Sequence, residues 1–283
     1  MFSQNLTFNS SEALEAPWGQ CGNMIAGVLV WMSFGTLFSL IGCPACVAVL
    51  WELFRRHRAG TSITPHDVFM INLTVMDMIF LFFVPFGMLN FLLWQDMLFQ
   101  KFTNFLYTLS LAGRPLLTAC ICLDCYLAVV HPITYSTKKS LTPRVLMAAA
   151  VWTATMVQGV MSIINAELTH DPWAIFLSIM ALPIIVICDA SILWTLKKSY
   201  LGGRDLHPRK KKAVQIITNS LVMTITSHVP PVLVFIFGPF IIKDEKEYEC
   251  FLAVPALITP IAGSAIMPLL YLGNLGRLNN LCC

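Results

Sequence analysis

Arg114 stands inside the long apolar stretch between residues 102 and 130. A guanidinium near the middle of a membrane helix costs at least about 2.5 to 3.5 kcal/mol unless it is paired or hydrated, so its place is the interior of a helix bundle. Tyr107 lies seven residues before it and Cys125 eleven after, near two and three helical turns, which puts the three on one face. Asp189 is a second charge in an apolar run and has no evident partner. A single His such as His228 reads first as a hydrogen-bonded core residue and only second as a ligand contact. Cys43 and Cys46 form a CxxC, and Cys120, Cys122 and Cys125 cluster, but all lie in apolar runs without His or Cys partners at metal spacing. The chain carries neither a glycine-rich phosphate loop nor an HExxH helix, so no catalytic residue, metal or cofactor is expected and the chain is not read as an enzyme.

The elements that position these groups follow from composition. Of the 283 residues 57% are hydrophobic and 12% charged, against roughly 25% charged in soluble domains, which excludes a soluble enzyme. Seven apolar stretches are long enough to span a bilayer, at about 24 to 51, 68 to 94, 102 to 130, 145 to 166, 173 to 196, 213 to 242 and 251 to 272. Fourteen of the 18 Lys and Arg residues follow spans one, three, five and seven, whereas Lys101, Lys243 and Lys246 lie on the other side. The asymmetry places the N-terminus outside and the C-terminus inside. Residues 1–23 lack the pattern of a cleaved signal peptide and are read as an extracellular tail, with Asn5 and Asn9 in glycosylation sequons. Residues 24–275 form the membrane domain and 276–283 a cytoplasmic tail. The odd number of spans and the absence of an internal repeat argue against an inverted-repeat transporter. A net charge of +3 gives no reason to expect nucleic acid.

Several positions then converge on one family. Span one reads Gly42-Cys43-Pro44-Ala45-Cys46 followed by Ala48-Val49-Leu50-Trp51; span two reads Asn72-Leu73-Thr74-Val75-Met76-Asp77, then Val84-Pro85-Phe86. Span three ends Leu123-Asp124-Cys125-Tyr126-Leu127-Ala128-Val129-Val130-His131-Pro132, Trp152 falls in span four, Pro183 in span five, and Pro268-Leu269-Leu270-Tyr271 near the end of span seven. In this order they resemble the class A, rhodopsin-like G-protein-coupled receptors, in particular the branch of purinergic and protease-activated receptors. The likeness implies an all-α, seven-helix bundle in the plasma membrane, with an eighth, short amphipathic helix over Leu272 to Leu281. It also implies an extracellular ligand, heterotrimeric G proteins as partners and lipid as surroundings. Departures fall on the switch residues. Cys46 stands where the family has Asn, Cys125 replaces the Arg of its DRY motif, Met267 replaces Asn or Asp, and Ser227-His228-Val229-Pro230 replaces CWxP. Gln100 occupies the slot of the family's extracellular-end Cys.

In this family the slots of Asp77 and Arg114 line one sodium-binding cavity, so the expected arrangement is a buried Asp77–Arg114 ion pair with the guanidinium in place of sodium; the alternative is an Arg114 hydrated by water. Asp124, Cys125 and Tyr126 take the G-protein-facing positions, with Tyr135 as a candidate donor to Asp124; either coupling is weak or absent without the Arg, or it persists through loop contacts. Pro230, beside Pro231, is the expected hinge of span six, and Pro268 and Tyr271 belong to the same switch. Asn104, Tyr107, Thr108 and Leu111, with His228 below, are candidate pocket residues. Outer spans six and seven carry no Lys or Arg, which disfavours a nucleotide and leaves an apolar or peptide ligand. Cys21 and Cys250 form a possible tail-to-loop disulfide, the alternative being two unpaired thiols. Cys282 and Cys283 are palmitoylation candidates, the alternative being a short frayed tail. The expected function is thus a receptor for an apolar or peptide ligand; the alternative is a receptor-fold protein that does not signal, such as a decoy or a dimerisation partner.

Overall fold

The computed structural model describes residues 25–60, 64–131, 133, 135, 140–164, 173–200, 208–244 and 248–279. Among these residues the secondary structure is helical, and seven helices are long and apolar enough to cross a membrane. They are α1 (Ile25–Arg58), α2 (Pro65–Leu89, extended by a π-turn over Asn90–Trp94), α3 (Met97–Val130), α4 (Thr142–Ile164) and α5 (Trp173–Tyr200). We treat Pro208–Met223, the π-turn Thr224–His228 and Val229–Ile241 as one broken helix, α6, and Tyr248–Ala253, Val254–Ala256 and Ile258–Asn279 likewise as α7. α1 extends past the expected end at residue 51, because Glu52 bridges Arg55 and Arg56 one turn on, so these cations belong to the helix rather than to a loop. α7 runs on without a break to Asn279, so the stretch expected to form a separate eighth helix continues it instead. The expected sites at Asn5, Asn9, Cys21, Cys282 and Cys283 lie outside the described residues, as does the side chain of Cys250.

Local sequence explains where helices start and bend. Thr64 and Asp67 form a reciprocal capping box ahead of Pro65, whose missing N–H is not needed at the first helical position. Asp96 caps α3 by accepting the Phe99 N–H at 2.7 Å. In α6 the paired Pro230 and Pro231 have no N–H to give to the preceding turn, and the ladder slips by one residue, with Val229 N–H donating to Thr224 C=O.

Apolar residues occupy both the inside and the outside of the bundle, as expected where the outer surface meets hydrocarbon. One core cluster joins α1 to α4 through Val49, Phe69, Leu73, Met76, Leu117 and Val151. A second joins the other ends of α1, α2 and α7 through Trp31, Phe80, Leu81, Met88 and Ile261. Trp152 of α4 donates its indole N–H to Asn72 of α2 at 3.0 Å, a polar tie between the two helices. α3 packs against α2, α4 and α5, which places Arg114 near the bundle axis.

Candidate functional site

Arg114 is 2% exposed and Asp77 1%. Arg114 Nε lies 2.7 Å from Asp77 Oδ1, and Nη1 donates to the Pro260 carbonyl of α7 at 3.0 Å. The guanidinium therefore ties α2, α3 and α7 together. That carbonyl belongs to the first turn of the α7 segment Ile258–Asn279, and its second lone pair can accept the guanidinium N–H. Ser264 flanks the carboxylate, and Ser227 and His228, both buried, come from the π-turn of α6. Gly263 makes the approach possible, since a Cβ there would collide with Ser227 Oγ and lie 2.7 Å from Arg114 Nη1. A cluster so enclosed holds its one full positive and one full negative charge at contact distance, the arrangement in which a buried charge is tolerated.

Of the candidate pocket residues, Thr108 spends its hydroxyl on the Asn104 carbonyl, Leu111 gives its carbonyl to Ser178 of α5 at 2.7 Å, and Tyr107 packs edge-on against Phe80. Asn104 is exposed and accepts from Gln100. A separate groove of about 1130 Å³ is lined by residues including Trp94, Asp96, Phe99, Lys101, Phe102 and Ile163, and none of the five candidates borders it.

At the other end of α3, Tyr135 donates to Asp124 Oδ2 at 3.0 Å, and Arg144 of α4 closes on Asp124 Oδ1 at 3.0 Å. The Arg144 guanidinium also sits 5.2 Å over the Tyr135 ring and donates to the Ser140 carbonyl. Burial, followed by the Asp124 charge, pushes the Tyr135 hydroxyl up to about 12, so it remains a donor at neutral pH. Arg144 is one of the fourteen cations that the charge asymmetry groups on one side, and nothing in its local sequence signals a partner 20 residues away on α3. Cys125 and Tyr126 pack with Ile192 of α5 and Ile217 of α6 in an apolar contact. Pro268 is buried, and Tyr271 stacks on His66 of α2 with ring centres 6.5 Å apart.

The described residues thus form seven membrane-length helices with a charged cluster between α2, α3 and α7 and a second ion pair at the C-terminal end of α3. Residues 45–172 match the family described as 7 transmembrane receptor (rhodopsin family). The chain is 26% identical over 232 residues to a purinoceptor of Gallus gallus, covering 72% of this chain and 70% of that protein. It is 32% identical over 117 residues to Proteinase-activated receptor 3 of Bos taurus, covering 40% and 30%, and 24% identical over 257 residues to Free fatty acid receptor 3 of Homo sapiens, covering 78% and 68%. The chain is thus similar to class A, rhodopsin-like receptors, with relatives among the purinergic and proteinase-activated receptors, and its seven membrane-length helices fit a multi-pass plasma-membrane protein.

Proposed function

We propose that this cell-surface receptor responds to an apolar or peptide ligand and passes the signal to heterotrimeric G proteins by outward movement of the inner part of α6 about Pro230. The observation that carries the reading is the Arg114 cluster, in which one side chain bonds α2 and α7 directly and Gly263 of α7 lies against both that side chain and Ser227 of the α6 π-turn. Such a joint transmits a shift of α7 or of outer α6 to the inner ends. The guanidinium fills the place a mobile cation takes in relatives, so ligand response does not depend on sodium. The test is a G-protein dissociation assay over all G-protein classes, run on the parent with peptide and lipid panels and on Cys125→Arg. A ligand-driven signal in the parent supports the proposal. Restored basal signal in Cys125→Arg alone, with the parent silent throughout, refutes it.

A second reading, a receptor-fold protein that does not signal, draws on the apolar contact of Cys125 with Ile192 and Ile217, where no charge faces the cleft from that position. It predicts surface expression without nucleotide exchange.

A further inference from the structure

Three side chains in the inner half of the bundle take no part in the contacts described above. Asp189 on α5 is 0% exposed, and its Oδ2 accepts a hydrogen bond from Ser220 Oγ on α6 at 3.0 Å. The same Ser220 Oγ lies 3.0 Å from Cys122 Sγ on α3. A serine has one hydroxyl proton; with that proton given to the carboxyl group, its lone pair is left for the Cys122 thiol proton, so the chain of donors runs from α3 through α6 to α5. Cys122 and Ser220 are buried too, and Asp189 Oδ1 has no hydrogen-bond partner among the described residues. A carboxyl group this deep in a membrane helix is costly, and its hydrogen bond to Ser220 is worth more there than in water. That bond exists only while α6 sits against α3 and α5.

We propose that Asp189, Ser220 and Cys122 are positioning residues that latch the inner segment of α6 in the resting state, and that breaking this latch opens the cytoplasmic cleft. The proposal rests on the reading that the chain switches by movement of inner α6. Ser220 belongs to the segment Pro208–Met223, on the far side of the π-turn from Pro230. Ten residues of helix put Ser220 about 15 Å from that pivot, so a tilt of about 10° moves it by roughly 2.6 Å and takes a 3.0 Å bond beyond hydrogen-bonding range. Nearer the cytoplasm, the Arg144–Asp124 pair joins α3 to α4 and leaves α6 untouched by that contact. Ile192 and Ile217, each three residues from Asp189 or Ser220 on the same helices, pack together in the buried contact one turn away.

The test uses the full chain in lipid nanodiscs and reads the labelling rate of Cys122 by a water-soluble maleimide, resolved from Cys120 and Cys125 by tandem mass spectrometry. Cys46, 0% exposed on α1, is the internal control. Ser220→Ala and Asp189→Ala are expected to raise Cys122 labelling by roughly tenfold or more, the effect of losing a hydrogen bond to a charged group, with Cys46 still protected. Ser220→Thr keeps the hydroxyl and Asp189→Asn keeps an acceptor, so both should stay within about twofold of the parent. Unchanged labelling in the two Ala variants overturns the latch. So does an equal rise at Cys122 and Cys46, which marks general loosening. Faster Cys122 labelling without any change in G-protein nucleotide exchange sustains the latch and refutes the coupling reading instead.

Discussion

Asp77→Asn removes one charge from the Arg114 cluster while keeping nearly the same volume, so its effect isolates electrostatics from packing. In the parent, the guanidinium has an anionic partner at 2.7 Å and a carbonyl at 3.0 Å, with the two side chains 3% and 1% exposed. After the substitution the Pro260 carbonyl and an amide oxygen remain, but the positive charge is unpaired where water does not reach. Breaking a buried pair from one side costs about 3 to 5 kcal/mol. At about 2 to 4 °C per kcal/mol for a chain of this size, the melting temperature of purified Asp77→Asn in detergent should fall by about 6 to 20 °C. A companion variant carrying both Asp77→Leu and Arg114→Met removes the pair altogether, and an apolar replacement of a buried pair is near neutral or stabilising. It should melt within a few degrees of the parent, far above the sum of the two single changes. The parent should also melt at the same temperature in sodium chloride and in choline chloride. An Asp77→Asn protein as stable as the parent, or a double variant whose loss equals that sum, would refute the ion pair.

Two other contacts give separate tests. Arg144→Ala leaves Asp124 with Tyr135 alone, and should lower thermal stability by about 1 to 3 kcal/mol because the carboxylate is largely buried. A raised tyrosine holds its stabilising bond below the unfolded value near 10 and loses it only as pH climbs through about 12, so the Tyr135 bond should contribute equally from pH 6 to pH 9 in a melting series. Asn90→Ala should cost about 1 to 3 kcal/mol and speed amide exchange in the first turn of α3, since Asn90, 0% exposed, bonds both the carbonyl and the N–H of Asp96 and reaches Gln100 at 3.4 Å. Exchange at Phe99 and Gln100 like that of the parent would exclude a role for Asn90 in holding that turn.

The helices were legible because membrane burial leaves a one-dimensional record: an apolar run of span length is enough, and the described residues hold seven helices of that kind. Their ends were less so. Glu52 carries α1 onward through two local ion pairs, a side-chain effect that hydropathy does not register. Arg114 and Asp77 were legible as a pair through the family's shared slots, whereas Pro260 was not, because every residue carries a backbone carbonyl and only the packing of α7 against α3 selects this one. Asp189 posed the same problem. Its partner Ser220 sits 31 residues away on another helix, and serine in an apolar run carries no mark that distinguishes an interhelical donor from one that bonds its own helix, as Ser39 and Ser191 do.

The substitutions at the family's switch positions come with local replacements. Where the resemblance places a cation-binding carboxylate, Arg114 brings a cation of its own. Asp124, which loses its neighbouring Arg to Cys125, is held by Arg144 from α4. Gln100 occupies the slot of an absent disulfide cysteine, and the Asn90–Asp96–Gln100 contacts tie the start of α3 to the end of α2. Each replacement is interhelical or spans a helix break, so each needs two or more residues to fit together in space. A chain drifting away from a constrained fold would lose the original partners first, and its orphaned Asp124 would stand without a counter-charge. The arrangement instead keeps buried polar groups matched at all three places, which argues for a bundle still under a requirement to hold defined states. The charge contact at that end of α3 joins it to α4, while the Cys122–Ser220–Asp189 contact is the one that reaches α6 in the proposed latch.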